Sequence, residues 1–408
     1  MKVSAFMSIG DDQMTNDFQC TIPKEKIYDA DYLKFVLQVA ASSASFGTIC
    51  LTEPSQLNGV YHSRGNLNAL LIAPFGSGKT SQVFNIIGTP VIYGNDHTKA
   101  GMIGSISKTG DHTVGAAFRA GGKLAIWDET QDMHYTVKDC LNSLMEGKHE
   151  YKREIGFKTT KPVKMGSLKS GGIFKINGNS IYLYSKFSCI ASSMFIKLGT
   201  RTENAWYSRF VPIRINIDSF DYYRRLSKGE IVYEILADYH KEKINFTFPR
   251  YIEFADWFWD RIEDSHWKSL ERTRQDDLAF VNRSLQDIVR MAAFKSITNG
   301  GNEIQPDDAK GVVNQYHDQM LYNLYTGALT ENEYRVISLI GRKISQEQMS
   351  IELGISQPTV SKILYKLKAF HLITGDIPVI ALKEGNADGE MWEQVYVPKE
   401  LEESLPSG

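Results

Sequence analysis

Leu67-Asn68-Ala69-Leu70-Leu71-Ile72-Ala73-Pro74-Phe75-Gly76-Ser77-Gly78-Lys79-Thr80 is the stretch whose reading decides the fold. An apolar run without helical period, ending at Ile72, predicts a buried parallel strand. Gly76 and Gly78 let the backbone turn its N–H groups toward an anion. A helix over residues 81–88, with Val83, Ile86 and Ile87 on one face, adds its positive N-terminal end. In such a nest Lys79 reaches the β- and γ-phosphates of a nucleotide, and the Thr80 hydroxyl ligates its Mg²⁺. This is the pattern of a P-loop, with Ala73 where the strict form has Gly; that position only begins the turn. Ala73, Gly76, Ser77, Gly78, Lys79, Thr80 and Ser81 are the candidate ATP-binding residues.

Roughly fifty residues downstream, Lys123-Leu124-Ala125-Ile126-Trp127-Asp128-Glu129 is an apolar strand ending in two acids. Strand ends of open α/β sheets face the ligand crevice. Asp128 is therefore placed to hold the Mg²⁺ shell and Glu129 to polarise an attacking water. Alone, a strand ending in Asp-Glu is weak; behind a P-loop it becomes a strong signal. The next helix turns Met133, Val137, Cys140, Leu141 and Leu144 to one side, a core face. Val91-Ile92-Tyr93 offers a further strand, and so does Phe187 to Ser193, whose terminal hydroxyls suit the orienting of a water near the γ-phosphate; Ser193 is the candidate there, with Ser192 beside it. Strands alternating with helices imply a parallel sheet covered on both faces.

Composition sets the frame for these motifs. With 408 residues, 42% of them hydrophobic and 23% charged, the chain can bury a large core and is expected to divide into two or three globular parts. Cys20, Cys50, Cys140 and Cys189 lie far apart without metal-ligand spacing, which points away from a zinc site or disulfide framework and toward a reducing, cytoplasmic setting. The apolar segment 32–51 is interrupted by Lys34, Gln38 and several serines, so a membrane span is not expected. A formal net charge of −2 requires any nucleic-acid contact to come from local basic patches.

Two such patches stand out. Between Lys148 and Lys175, eight Lys/Arg residues face only Glu150 and Glu154. Glycines and a lysine-rich middle separate the Tyr151 to Phe157 run from the Ile181 to Tyr184 run, so the segment reads as a long β-hairpin with Lys158, Lys161, Lys164 and Lys169 at its tip. The second patch is in the tail. Helices at 331–340 and 346–353, the turn Gly354-Ile355, and a helix opening at Ser356-Gln357-Pro358 match a helix-turn-helix, with strands near 379–382 and 394–397 as a wing. Lys362 and Lys366 lie on the last helix, where no acid accompanies them. Residues 31–45 read as one amphipathic helix, and 226–325 as a small all-α part in which Arg283 opens a stripe of Leu285, Ile288, Val289 and Ala292.

Taken in order, these pieces resemble the AAA+ ATPases, and within them the minichromosome maintenance (MCM) helicase group with its pre-sensor-1 hairpin. The likeness runs from about Leu67 to the C-terminus. Residues 98–104 and 116–122 are similar to that group's helix-2 insert region, Asp128 to Met133 to its Walker B run, Ser208-Arg209-Phe210 to its arginine finger, and Arg283 to Arg290 to its sensor-2 helix. The chain departs from the group in its short region ahead of the P-loop, in serine where sensor 1 carries Asn, and in a longer basic hairpin.

The resemblance implies an α/β P-loop AAA+ domain with a parallel sheet, an all-α lid and a C-terminal winged helix. The expected division is 1–50, 51–220, 221–328 and 329–408. It implies ATP and Mg²⁺ as cofactors and a homo-oligomer, a hexameric ring, in which Arg209 and Arg283 complete the neighbouring subunit's site. It also implies DNA as partner, single-stranded in the channel and duplex at the winged helix. The expected activity is that of a compact DNA helicase of a plasmid, virus or mobile element. A non-unwinding initiator, loader or regulator, and a protein remodeller, stay open as alternatives.

Overall fold

Five apolar runs, each too short for a helix, become the strands of one parallel sheet in the computed structural model: β1 (Asn68–Ile72), β2 (Val91–Tyr93), β3 (Leu124–Trp127), β4 (Ser188–Ser193) and β5 (Val211–Arg214). The structure describes residues 19–20, 30–51, 61–73, 77, 79–80, 86–93, 98–106, 112–146, 150–154, 165–167, 173–177, 180–195, 201–215, 224, 227–228, 234–263, 278–327, 330–340, 344–369, 373–374, 381–385 and 391–395.

The strand order is β5-β1-β4-β3-β2. Cys189 to Ser193 pair with Asn68 to Ile72, Ser188 to Ala191 with Leu124 to Trp127, and Val211 to Arg214 with Ala69 to Ile72. Because all five strands run the same way, their C-terminal ends emerge along one edge, the edge at which such sheets hold ligands. β1, β3 and β4 are buried along their whole length, as central strands covered on both faces must be.

α1 (Ala30–Ser42) packs on β1, β3 and β4. Tyr32, Leu33, Val36, Leu37, Val39, Ala40 and Ala41 are all buried, while Asp31 and Lys34 are exposed and Phe35 and Gln38 half-buried along one face. The helix is thus amphipathic, as expected, with its apolar side turned to the sheet. α2 (Tyr135–Leu144) and α3 (Arg201–Tyr207) lie against each other, joined by buried Lys138, whose Nζ donates to both carboxylate oxygens of Glu203 at 3.0 and 2.9 Å. Trp127, Trp206 and Phe210 fill the space behind, with ring centroids 6.0 Å and 4.9 Å apart in turn.

Three expectations need correction. Ile86–Ile87 are not helical; they form a short strand parallel to Ile235–Leu236. Gly88 follows at φ +117, where an added Cβ would meet the Ala237 side chain at 2.9 Å. The part from 226 to 325 is not all-α, since Ile244–Phe248 is a strand that pairs with Phe46–Leu51, burying Phe246 and Phe248 on alternate positions. Nor is the basic segment a two-stranded hairpin. Glu150–Glu154 does pair with Ser180–Tyr184, but Ile173–Asn177 and Met165–Ser167 add two more antiparallel strands. By itself, Glu25–Thr330 forms one compact unit, and the chain from Glu331 onward belongs to a second.

Among its described residues the second unit holds three helices, Glu331–Leu339, Gln346–Leu353 and Gln357–Ala369, around Val336, Val360, Leu364 and Leu367. Ser345 and Gln348 form a capping box, and Gly354 ends the middle helix at φ 65. An antiparallel pair, Ala381–Gly385 with Met391–Val395, follows. Gln19–Cys20 pairs with Ile373–Thr374, a contact between chain ends that no local pattern announces.

Candidate functional site

β1 ends at Ile72 and hands the chain to the loop that reaches Lys79 and Thr80. β3 ends at Trp127 and presents Asp128 and Glu129, while β4, between them, ends in Ser192 and Ser193. The strand order therefore brings three chain-distant segments to one point. Thr80 Oγ1 donates to Asp128 Oδ2 at 2.9 Å across 48 residues. The Lys79 side chain is buried here, 5% exposed; burial lowers its pKa against the opposing pull of Asp128 and Glu129.

Ser192 is the hinge pin of the acidic pair. Its hydroxyl donates to Asp128 Oδ1 and accepts the Glu129 backbone N–H at 3.0 Å, while its carbonyl accepts Thr130 Oγ1 at 2.9 Å. Ser193, the expected water-orienting residue, turns instead to the Phe195 carbonyl at 2.6 Å. Adjacent strand residues point to opposite faces, so only one of the two hydroxyls can face the acids. Glu129 itself sits in the left-handed region at φ 51, ψ 46, the single non-glycine with positive φ among the described residues. That conformation costs an L-residue about 1–2 kcal/mol. Gln131 completes the rim, its Oε1 accepting the Met194 N–H at 3.2 Å.

Ala73 lies beside this edge, its N–H donating to the Ser193 carbonyl at 3.1 Å. Ser77 is buried. Gly76, Gly78 and Ser81 lie outside the described residues, as do Lys158, Lys161, Lys164 and Lys169.

Arg209 and Arg283 are elsewhere. Arg209 stands just before β5, its carbonyl accepting Asn68 Nδ2 at 3.2 Å, so it lies at the N-terminal edge of the sheet, opposite the Thr80–Asp128 edge. Arg283 Nη1 donates to the Ser208 carbonyl at 3.0 Å, which brings the two arginines together. The Arg209 guanidinium is buried and pairs with Glu146, whose side chain is 60% exposed; its Nε is buried without a hydrogen-bond partner. Burial lowers its pKa, and Glu146 pulls the other way. Sequence reasoning missed the rest of this basic group. Arg290 pairs with Asp287 and donates through Nε to the Arg64 carbonyl at 3.0 Å. Burial raises the Asp287 pKa, while Arg290 and Arg64 act to lower it. The Arg283-to-Arg290 helix pattern carried half of that signal; an isolated Arg64 at a strand end carried none.

In the second unit Lys362 is exposed, whereas Lys366 pairs with the buried Glu333. No helix among the described residues is long and apolar enough to cross a membrane. No protein-family model matches this sequence, and no curated protein matches it.

Proposed function

We propose that the chain is a ring-forming AAA+ ATPase, a compact DNA motor similar to the MCM helicases. The observation that carries the reading is the 2.9 Å contact between Thr80 Oγ1 and Asp128 Oδ2, with the ammonium of Lys79 buried at the same sheet edge. Mg²⁺ prefers hard oxygen ligands and takes only one or two from protein, leaving its other positions to water and phosphate. A threonine hydroxyl and a carboxylate in contact fit that demand. MgATP, when bound, supplies the phosphoryl group and the metal charge. Lys79 neutralises phosphate oxygens as negative charge shifts toward the leaving group. Glu129 accepts a proton from the attacking water, and its left-handed backbone, fixed through Ser192, aims the carboxylate.

Arg209 and Arg283 lie too far from their own chain's Thr80 to share its site, which supports their acting on a neighbouring copy in a ring. DNA contact by the lysine-rich segment 158–169 and by Lys362 completes the reading; Lys366, engaged with Glu333, contributes less than its position in sequence suggests.

Lys79→Ala is expected to abolish nucleotide binding. Glu129→Gln is expected to bind ATP but lose about 10²–10⁴ in turnover. Nucleotide binding by fluorescence and phosphate release on the same preparations check both. Wild-type turnover in either variant overturns the site. DNA-stimulated ATPase activity and displacement of a strand from a fork test the motor: a fork left intact leaves a DNA-binding ATPase, and ATPase activity indifferent to DNA removes DNA from the reading.

A further inference from the structure

The central strand Ser180–Tyr184 of the antiparallel four-stranded sheet points its side chains alternately in and out. Leu183 is buried, while Tyr182 is 41% exposed and Tyr184 half-buried. The register sets Lys152 directly opposite Tyr182 on the neighbouring strand Glu150–Glu154. Lys152 Nζ lies 5.6 Å from the Tyr182 ring centroid. Lys243, exposed just before the separate strand Ile244–Phe248, lies 5.9 Å from the Tyr184 ring centroid, and so brings a second ammonium to the two rings.

We propose that this face binds single-stranded DNA, with Tyr182 and Tyr184 stacking on neighbouring bases and Lys152 and Lys243 contacting phosphates. The proposal rests on the DNA half of the function proposed above and names a surface distinct from the lysines at 158–169. Two aromatic residues at i and i+2 on one strand stand about 7 Å apart on the same side, a spacing that lets each ring meet its own base. Stacking needs only the flat face of a base, so duplex DNA, whose bases are covered by their neighbours, is excluded, and any unpaired sequence is accepted. Charge alone does not make the face: Glu150 is opposite Tyr184, which sets an acid beside Lys152 and Lys243. Binding here therefore depends on the rings more than on salt, which separates it from a purely electrostatic track.

Fluorescence anisotropy of a labelled oligothymidylate with the full chain, across a salt series, tests this. Tyr182→Leu is expected to weaken binding roughly tenfold or more with little change in salt slope, and Tyr182→Phe to bind like wild type. Lys152→Gln is expected to flatten the slope by about 0.7, one single-strand phosphate contact. A duplex of the same length responds to none of the three. Tyr182 is exposed, so the variants keep the wild-type melting temperature and ATPase rate. If wild type binds oligothymidylate and Tyr182→Leu binds it equally well, the platform is wrong and the DNA motor stands. If wild type binds no oligothymidylate while its ATPase is intact, both the platform and the DNA half of the function are wrong.

Discussion

Glu129 pays for its position in backbone conformation, and that makes stability and turnover separable at one residue. A left-handed φ of 51 is tolerated because the Glu129 N–H is held by Asp128 Oδ1 at 3.1 Å and by Ser192 Oγ at 3.0 Å. Glycine adopts that φ without steric cost, although it loses more entropy on folding. Glu129→Gly is therefore expected to raise stability by up to about 1 kcal/mol, read as a shift of the urea midpoint, while phosphate release collapses. A fall in stability of that size would mean that the carboxylate and not the backbone holds the turn. The Ser192 and Ser193 pair shows where residue-scale reading stops. Both hydroxyls end the same strand, and which one faces the acids depends on the phase of the pleat, fixed by pairing with β1 and β3 rather than by either residue's identity.

At the scale of elements, Lys186 ties the sheet of Phe46–Leu51, Ile244–Phe248 and Tyr61–Arg64 to the central one. It precedes β4 and donates through Nζ to the Phe46 carbonyl and, at 2.8 Å, to that of Gly47. Burial pushes its pKa down to about 8 from the ordinary 10.5, and Lys243, Arg64 and Arg290 push the same way. The sign follows from linkage. Between about pH 8 and 10 the unfolded chain holds a proton on this lysine that the folded chain has begun to shed, so this group makes stability rise with pH across that window. Lys186→Met should remove that rise, visible as a wild-type-minus-variant difference in urea midpoint that changes between pH 7.5 and pH 9.5, within roughly the range these pKa values bracket. An unchanged difference would show that the folded lysine titrates normally.

The parallel strands were legible because each is a short apolar run, and the strand ends carrying Lys79, Thr80, Asp128 and Glu129 were legible as motifs. Strand order was not, because runs of Leu, Ile and Ala do not say which partner they choose. Ile86–Ile87 was misread since two β-branched residues after an expected first turn fit a helix face as well as a strand. Ile244–Phe248 alternates at period 2 and was readable; the helices around it masked it. The four-stranded sheet was hidden because its extra strands come from a glycine- and lysine-rich stretch that resembles a loop by composition.

For the whole molecule the decisive fact is that the two chemical halves lie at opposite edges of one sheet, Thr80 with Asp128 at one, Arg209 with Arg283 at the other. If Arg209 serves the neighbour's nucleotide, its loss spares ATP binding and lowers turnover. A preparation of Lys79→Ala mixed with Arg209→Ala should then recover activity, because some junctions pair an intact Lys79 edge with an intact Arg209 edge. Phosphate release across mixing ratios measures this. Mixed assemblies that form and remain inactive at every ratio would return Arg209 to a structural partner of Glu146.

The outermost strand has its own consequence. β5 carries Pro212 opposite Leu70, and a proline has no N–H to offer a further strand. α4 (Pro306–Gly327) packs beside that strand, and β2, the other margin, is only three residues long. A sheet whose central strands are this apolar would, with open margins, invite a second unfolded chain to add on. With one margin capped by proline and covered by a helix, and the other too short to template, the folded sheet gives an unfolded chain no margin on which to start an amyloid-like stack.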